Sequence, residues 1–262
     1  MNVSEAIAGA EIDPREARIL LAEACGFSQA ALAASPEREI PFQVETAFFD
    51  LAGKRKAGIP VAYLLGRKEF YGLELSVNPS VLVPRPETEL LVDLALEKHP
   101  GSVLELGTGS GAIALALKFK SKATKVVAVE ADASALLVAK RNAAKLNLEL
   151  DFRHGRWFEP VEGERFELIV SNPPYVAEGD PHLEALRFEP RAALVAGPDG
   201  LDCIRDIVRD AAGHLSPGGW LLLEHGFGQD RTVRDLLAQA GFTSVSTRPD
   251  LAGIPRVSGG KR

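Results

Sequence analysis

The sequence predicts an α/β fold of Rossmann-like type, with a small all-α domain at the amino terminus and a β-hairpin linker between the two parts. Three observations predict it. From about Glu87 onward, strand-like and helix-like segments alternate, which implies a parallel sheet with helices on both faces. The last two extended runs, Ser244 to Thr247 and Arg256 to Ser258, are joined by a short loop, so the sheet should close on an antiparallel pair. Before Tyr71 no strand-like alternation occurs, and apolar residues recur at helical spacing.

In order, the helical part covers residues 1–68, with helices expected over Glu16 to Ala24, Ser28 to Ala34 and Gln43 to Ala57. Gly58-Ile59-Pro60 ends the third. The linker covers residues 69–83, where two short extended runs flank Asn78-Pro79-Ser80, the expected turn of a hairpin. The α/β part covers residues 84–262. Its expected strands are Ser102 to Leu106, Lys125 to Glu130, Leu150 to His154, Leu168 to Ser171 and Trp220 to Glu224. Its expected helices are Glu87 to Lys98, Ala112 to Lys120, Ser134 to Leu146, Leu201 to Leu215 and Asp230 to Ala240.

Composition bounds the function. The chain has 262 residues, 46% hydrophobic and 25% charged, enough to bury a core without disulfide or metal staples. Cys25 and Cys203 match no metal or redox spacing and read as reduced thiols of a cytoplasmic protein. His154, His182, His214 and His225 show no metal-ligand spacing either, so no metal is expected. The amino terminus is acidic and broken by Pro14, unlike a signal peptide, and no apolar stretch is long enough to span a membrane. A net charge of −6 fits a small-molecule or protein substrate better than nucleic acid.

The first chemical motif is Gly107-Thr108-Gly109-Ser110-Gly111, between a strand and a helix. Its glycines allow sharp turns and close backbone approach to a ligand. The spacing is neither that of a dinucleotide fingerprint nor of a phosphate-binding loop, so a ligand without pyrophosphate is expected, and S-adenosylmethionine is one. Glu105, just before the loop, suits its cationic methionine amino group. Glu130, twenty-three residues after Gly107 at the end of the next strand, suits the ribose hydroxyls, with Asp132 as the alternative.

The second motif is Asn172-Pro173-Pro174-Tyr175, directly after an apolar strand. Two prolines fix the backbone and remove two amide donors, which leaves carbonyl acceptors beside the Asn172 side chain. Such acceptors can hold both hydrogens of a planar NH2 group while Tyr175 stacks on its face. An amide or aromatic amine is a poor nucleophile because its lone pair is delocalised. Acceptors on its hydrogens, with orientation toward a methyl donor, answer that difficulty.

Asn-Pro-Pro-Tyr is shared by amino methyltransferases of DNA adenine and of protein glutamine. Over nearly its whole length the chain resembles the bacterial release-factor glutamine methyltransferases, the PrmC/HemK family. The matching stretches are Pro60 to Gly66 with Glu69-Phe70, Val83-Pro84-Arg85-Pro86-Glu87-Thr88-Glu89, Phe188 to Leu194, Gly197 to Leu201, and Leu223-Glu224-His225-Gly226. The resemblance implies a class I S-adenosylmethionine-dependent methyltransferase with S-adenosylhomocysteine as product. It implies class-I peptide chain release factors as partners, methylated at N5 of the glutamine in a Gly-Gly-Gln loop. Carried over by motif, Gly107 to Gly111, Glu130 and Asn172 contact the cofactor, and Trp157 lies beside its adenine. Asn172, Pro173, Pro174 and Tyr175 hold the substrate amide, and Arg85 and Glu87 belong to a segment covering the site. Two departures stand out. Glu130 replaces the family's usual aspartate, and Arg156 precedes Trp157-Phe158 where an acidic or small residue is common. Trp157 has the alternative of a core aromatic. The competing functions are an adenine-N6 nucleic-acid methyltransferase, which should carry a basic groove or base-reading domain, and a non-catalytic S-adenosylmethionine-binding module, which has no need of an amide clamp.

Overall fold

The computed structural model describes residues 1–121 and 124–262, which divide into two compact units, Met1–Arg67 and Lys68–Arg262. The first holds α1 (Val3–Gly9), α2 (Pro14–Cys25), α3 (Gln29–Ala34), α4 (Phe42–Lys56) and α5 (Val61–Leu65). Local chemistry sets their starts. Asn2 and Glu5 form a reciprocal capping box on α1. Asp13 caps α2 ahead of Pro14, and Ser28 caps α3. Gly26, in the left-handed region, ends α2. Leu20, Leu21, Leu32, Phe48 and Ala52 meet in a core of this unit's own. Each fully buried large apolar side chain there contributes roughly 1.5–3 kcal/mol.

The β-hairpin of β1 (Arg67–Phe70) and β2 (Leu73–Ser76) turns at Tyr71-Gly72, not at Asn78-Pro79-Ser80. Both turn residues have positive φ, 53° and 78°, as a tight two-residue turn requires. Tyr71 tolerates this because its N–H donates to Glu89 (2.8 Å) and its hydroxyl to Asp93 (2.5 Å). The Asn78 turn is real, with its side chain accepting from Ser80 N at 2.9 Å, but it shapes the loop that follows β2.

The α/β unit continues with α6 (Glu89–Leu96), β3 (Ser102–Leu106), α7 (Ala112–Lys120), β4 (Lys125–Glu130), α8 (Ala133–Leu146), β5 (Asp151–His154) and β6 (Phe166–Ser171). It ends with α9 (Asp202–Ala211), β7 (Leu215–Glu224), α10 (Asp230–Gln239), β8 (Thr243–Pro249) and β9 (Pro255–Lys261). The expected helix from Glu87 begins instead as a 3-10 turn over Pro86–Thr88. The expected helix to Leu215 stops at Ala211, because Leu215 already pairs with Phe166 as the first residue of β7.

The sheet runs in the order β5-β4-β3-β6-β7-β9-β8, parallel except where β9 pairs with β7 and β8. Alternate strand residues serve opposite faces. Leu104, Leu106, Ile169 and Leu221 join the core that includes Ile204 and Ile207 of α9 and Val233 of α10. Val103, Leu168, Val170 and Leu222 join the core that includes Leu91 of α6 and Leu115 of α7. The chain reverses its direction of travel between β3 and β6, so the carboxyl ends of these neighbours form the crevice where open α/β sheets bind ligands. Both margins are polar or irregular. On β5, Arg153 pairs with Asp151 and Glu164, while β8 shifts register twice along β9.

Candidate active site

A cavity of about 330 Å³ opens at those strand ends, within the range for small-ligand sites. Its walls come from the loop after β3, the end of β4, the loop after β5 and the segment after β6. They are completed by Ser80 to Leu82, Pro84, Arg85 and Thr88 from the stretch preceding α6, and by Pro190, Ala192 and Ala193.

The glycine loop is wound by backbone bonds. Gly107 and Thr108 N–H both donate to Val129 O, at 2.9 and 3.0 Å, and Gly107 and Gly109 adopt φ of 74° and 56°. A Cβ on Gly109, which lines the cavity, would meet no atom within 4 Å, whereas one on Gly111 would strike Leu115 Cδ1 at 2.9 Å. Gly111 lies outside the cavity lining, and its close approach to Leu115 serves the packing of α7. Asn142 of α8, which the sequence did not single out, holds the loop from behind. Its Nδ2 donates to Ser110 O (2.9 Å) and Ser76 O (3.0 Å), and its Oδ1 accepts from Ser76 N (2.7 Å).

Glu105 is buried on the cavity wall. Its Oε2 accepts from the Thr108 hydroxyl and from Ala114 N (3.1 Å), and neither bond uses Oε1. Burial above all, with the nearby Glu130 charge, pushes its carboxyl up to about 8 against those two bonds. Glu130 accepts from Gly109 N through Oε2 (2.8 Å) and from Asp132 N through Oε1 (3.0 Å). Asp132 also lines the cavity, but its Oδ1 caps α8 through Ser134 N (2.8 Å) and Ala135 N (2.9 Å). Trp157 lines the cavity and packs on the core beneath it. Its indole Nε1 is buried with no hydrogen-bond partner among the described residues. The Arg156 guanidinium is drawn to Asp206 on α9 at 2.9 Å.

Asn172 and Pro174 line the cavity, while Pro173 is buried behind it. Asn172 Nδ2 donates to Thr88 Oγ1 at 3.1 Å. Tyr175 does not line the cavity. Its hydroxyl donates to the buried Glu224 at 3.4 Å, and its carbonyl accepts from Gln229 at 3.0 Å. These two bonds hold Tyr175 against Glu224 and Gln229. A Cβ on Gly200 would sit 2.3 Å from the Tyr175 carbonyl, so that glycine lets the two segments touch. Arg85 lines the cavity but spends its guanidinium on Glu189, and Glu87 is exposed outside the lining. In the sequence Thr88, Glu189 and Glu224 stand only as parts of motifs, and nothing local signals their partners.

The donor set fits S-adenosylmethionine. A buried carboxylate suits a cationic amino group, an acidic strand end suits a ribose, and an indole face beside Gly107 suits a purine. The residues place the chain among the class I S-adenosylmethionine-dependent methyltransferases. Residues 86–189 match the Methyltransferase small domain and residues 2–66 the PrmC N-terminal domain. The release factor glutamine methyltransferase of Pseudomonas aeruginosa is 46% identical over 252 residues, spanning 94% of this chain and 91% of that one. That of Neisseria gonorrhoeae is 44% identical over 267 residues, spanning 100% and 98%. The chain belongs to the release factor glutamine methyltransferase family. Its fold is also that of a Pyrococcus furiosus methyltransferase (TM-score 0.59, 21% identity, 80% of this chain and 98% of that one). A Thermus thermophilus 16S rRNA N2 G1207 methyltransferase, solved with AdoMet and guanosine, shares it too (TM-score 0.56, 26% identity, 75% of this chain and 49% of that one).

Proposed function

We propose that the protein methylates N5 of the glutamine in the Gly-Gly-Gln motif of class-I peptide chain release factors, with S-adenosylmethionine as donor. The observation that carries this is Asn172, on the cavity wall with Pro174 and the glycine loop, with its NH2 already engaged by Thr88. Its carbonyl is the group left for a substrate amide.

Bound S-adenosylmethionine supplies an electrophilic methyl group on a sulfonium. Glu105 would hold its amino group, Glu130 its ribose and Trp157 its adenine. Asn172 Oδ1 and the backbone carbonyl of Pro173 would accept the two amide hydrogens. They raise electron density on the nitrogen and orient it along one line. As positive charge grows on nitrogen, the same acceptors stabilise it, and the proton leaves afterwards without a strong base. Pro174 closes the wall, and Tyr175 fixes the turn from behind through Glu224 and Gln229. Arg85, through Glu189, would keep the covering segment that also carries Glu87 in place.

On this reading the helical unit grips the release factor away from its reacting loop, no nucleic acid is contacted directly, and the enzyme works in the cytoplasm where peptide release occurs. Among the described residues no helix is long and apolar enough to cross a membrane. Incubation with labelled S-adenosylmethionine and either whole release factor or DNA tests the proposal. Label should appear on the release factor's Gly-Gly-Gln glutamine. Label on DNA alone rejects the assignment.

A further inference from the structure

Gln229 braces more than Tyr175. It is the last residue before α10, where a side chain commonly caps the helix, yet its amide makes no bond to α10. It reaches away instead. Its Oε1 accepts from Gly226 N, just after β7, at 2.8 Å. Its Nε2 donates to Tyr175 O, just after β6, at 3.0 Å. The same nitrogen faces the carbonyls of Asp199 and Gly200, ahead of α9, at 3.4 Å each. One amide therefore joins three segments that are far apart in the chain. Two glycines let them meet. A Cβ on Gly200 would collide with the Tyr175 carbonyl, and one on Gly226 would lie 3.0 Å from Gln229 Oε1 and 3.2 Å from Tyr175 Cδ2.

The polarity of the neighbours fixes which way round this amide sits. Gly226 N–H only donates and the three carbonyls only accept, so its oxygen and nitrogen cannot exchange places. The peptide unit between Tyr175 and Val176 is held at both ends. Its carbonyl accepts from Gln229, and its N–H donates to Leu194 O at 2.8 Å. Between that peptide and Asn172 stand only Pro173 and Pro174, whose rings lock φ. Tying down the Tyr175 carbonyl therefore leaves little freedom in the residues just before it.

We propose that Gln229 is a positioning residue for methyl transfer: by holding the Tyr175 carbonyl it sets the direction in which Asn172 and the Pro173 carbonyl meet the substrate amide. The inference rests on the reading of those two groups as the amide's acceptors. Gln229 lies outside the cavity lining, as do Asp199, Gly200 and Gly226. Its influence falls on the transfer step, where a small misplacement of acceptors is costly. It does not fall on S-adenosylmethionine, whose expected contacts lie on the loops after β3, β4 and β5.

The test uses the full-length enzyme, whole release factor and saturating labelled S-adenosylmethionine. Gln229→Glu keeps the size and the acceptor for Gly226, but sets an acceptor-only group against three carbonyls. Gln229→Asn keeps the amide one methylene short of Tyr175, and as a favoured cap it preserves the start of α10. In both, kcat should fall about 10–10²-fold, while calorimetric affinity for S-adenosylmethionine and circular dichroism stay near wild type. In an Asn172→Ala background the loss caused by Gln229→Asn should be much smaller, because most of what Gln229 aims is gone, whereas independent sites would lose the full factor again. Should Gln229→Glu fail to fold, Gln229→Asn decides alone. A wild-type kcat in Gln229→Asn overturns the inference. So does loss of rate and cofactor affinity together, or an undiminished loss on top of Asn172→Ala. Asn172→Ala separates the two levels. If it turns over normally, the reading of Asn172 fails. If it is slow while Gln229→Asn is fast, only the positioning role fails.

Discussion

Arg85 and Glu189 form an ion pair that joins two stretches 104 residues apart, one ahead of α6 and one beyond β6. The carboxylate is almost wholly buried, and its second oxygen accepts from Val83 N at 3.0 Å. Glu189→Ala would leave both donors unmatched. It should cost about 2–3 kcal/mol in urea unfolding. A loss below about 0.5 kcal/mol, the scale of an ordinary surface change, would show that the pair has no structural part.

Gly109→Val should abolish cofactor binding while the chain still folds. Gly109 lines the cavity and a Cβ there meets no neighbour within 4 Å, although φ of 56° adds backbone strain. Calorimetry beside circular dichroism checks this, and unchanged affinity in a folded variant rejects the placement.

Glu105 links ligand binding to protons. Its carboxyl is raised from 4.5 to about 8, so the folded chain holds a proton there that the unfolded chain has released. That contribution to stability is complete below pH 4.5 and is lost as pH rises through about 8. Without ligand, Glu105→Gln should therefore raise Tm more near the upper end of that window than near its lower end. A cationic ligand restores the charged carboxylate. Near neutral pH its binding should release close to one proton, read by titration calorimetry in buffers of different protonation enthalpy. Equal release by the glutamine variant sinks the linkage.

Asn142→Leu removes the brace behind the glycine loop and strands the groups at Ser76 and Ser110. Stability should fall by about 2–3 kcal/mol, and cofactor affinity should weaken with it. Hydrogen exchange at the loop amides should quicken in the variant. An unaltered loop would show that Asn142 serves only β2.

A chain beginning at Lys68, the start of the second compact unit, should still bind cofactor and weakly methylate a free Gly-Gly-Gln peptide. Its kcat/KM on whole release factor should drop sharply, since remote contacts supply affinity and orientation. Equal rates for the two lengths on whole release factor, in samples matched by circular dichroism, would deny the helical unit that role.

Signals carried within a few residues were legible. The strands Ser102–Leu106 and Lys125–Glu130 and the helix Ala112–Lys120 fell where hydrophobic pattern and glycine placed them. So did the glycine loop and Asn172 at the crevice. Tyr71 as a turn residue was hidden, because aromatic residues disfavour positive φ and only the tertiary bonds to Glu89 and Asp93 repay it. The first half of β7 was hidden by Pro217 and two glycines, which read as a turn but lie in an irregular part of its pairing with β6. Thr88, Glu189 and Glu224 acquire meaning only from partners 49 to 104 residues away, a distance no local pattern spans. The bond from the Tyr175 hydroxyl to Glu224 was equally hidden, because its partner lies 49 residues away.

The ragged, charged margins of the sheet also limit how another protein can be read. Neither Arg153's ion pairs on β5 nor the shifted register of β8 offers a clean row of backbone groups for a visiting strand to copy. At these two margins an incoming loop finds no ready strand to join. The opening at the strand ends suits a protruding tip instead, and a flexible apex such as paired glycines before a glutamine has the slenderness for that entry.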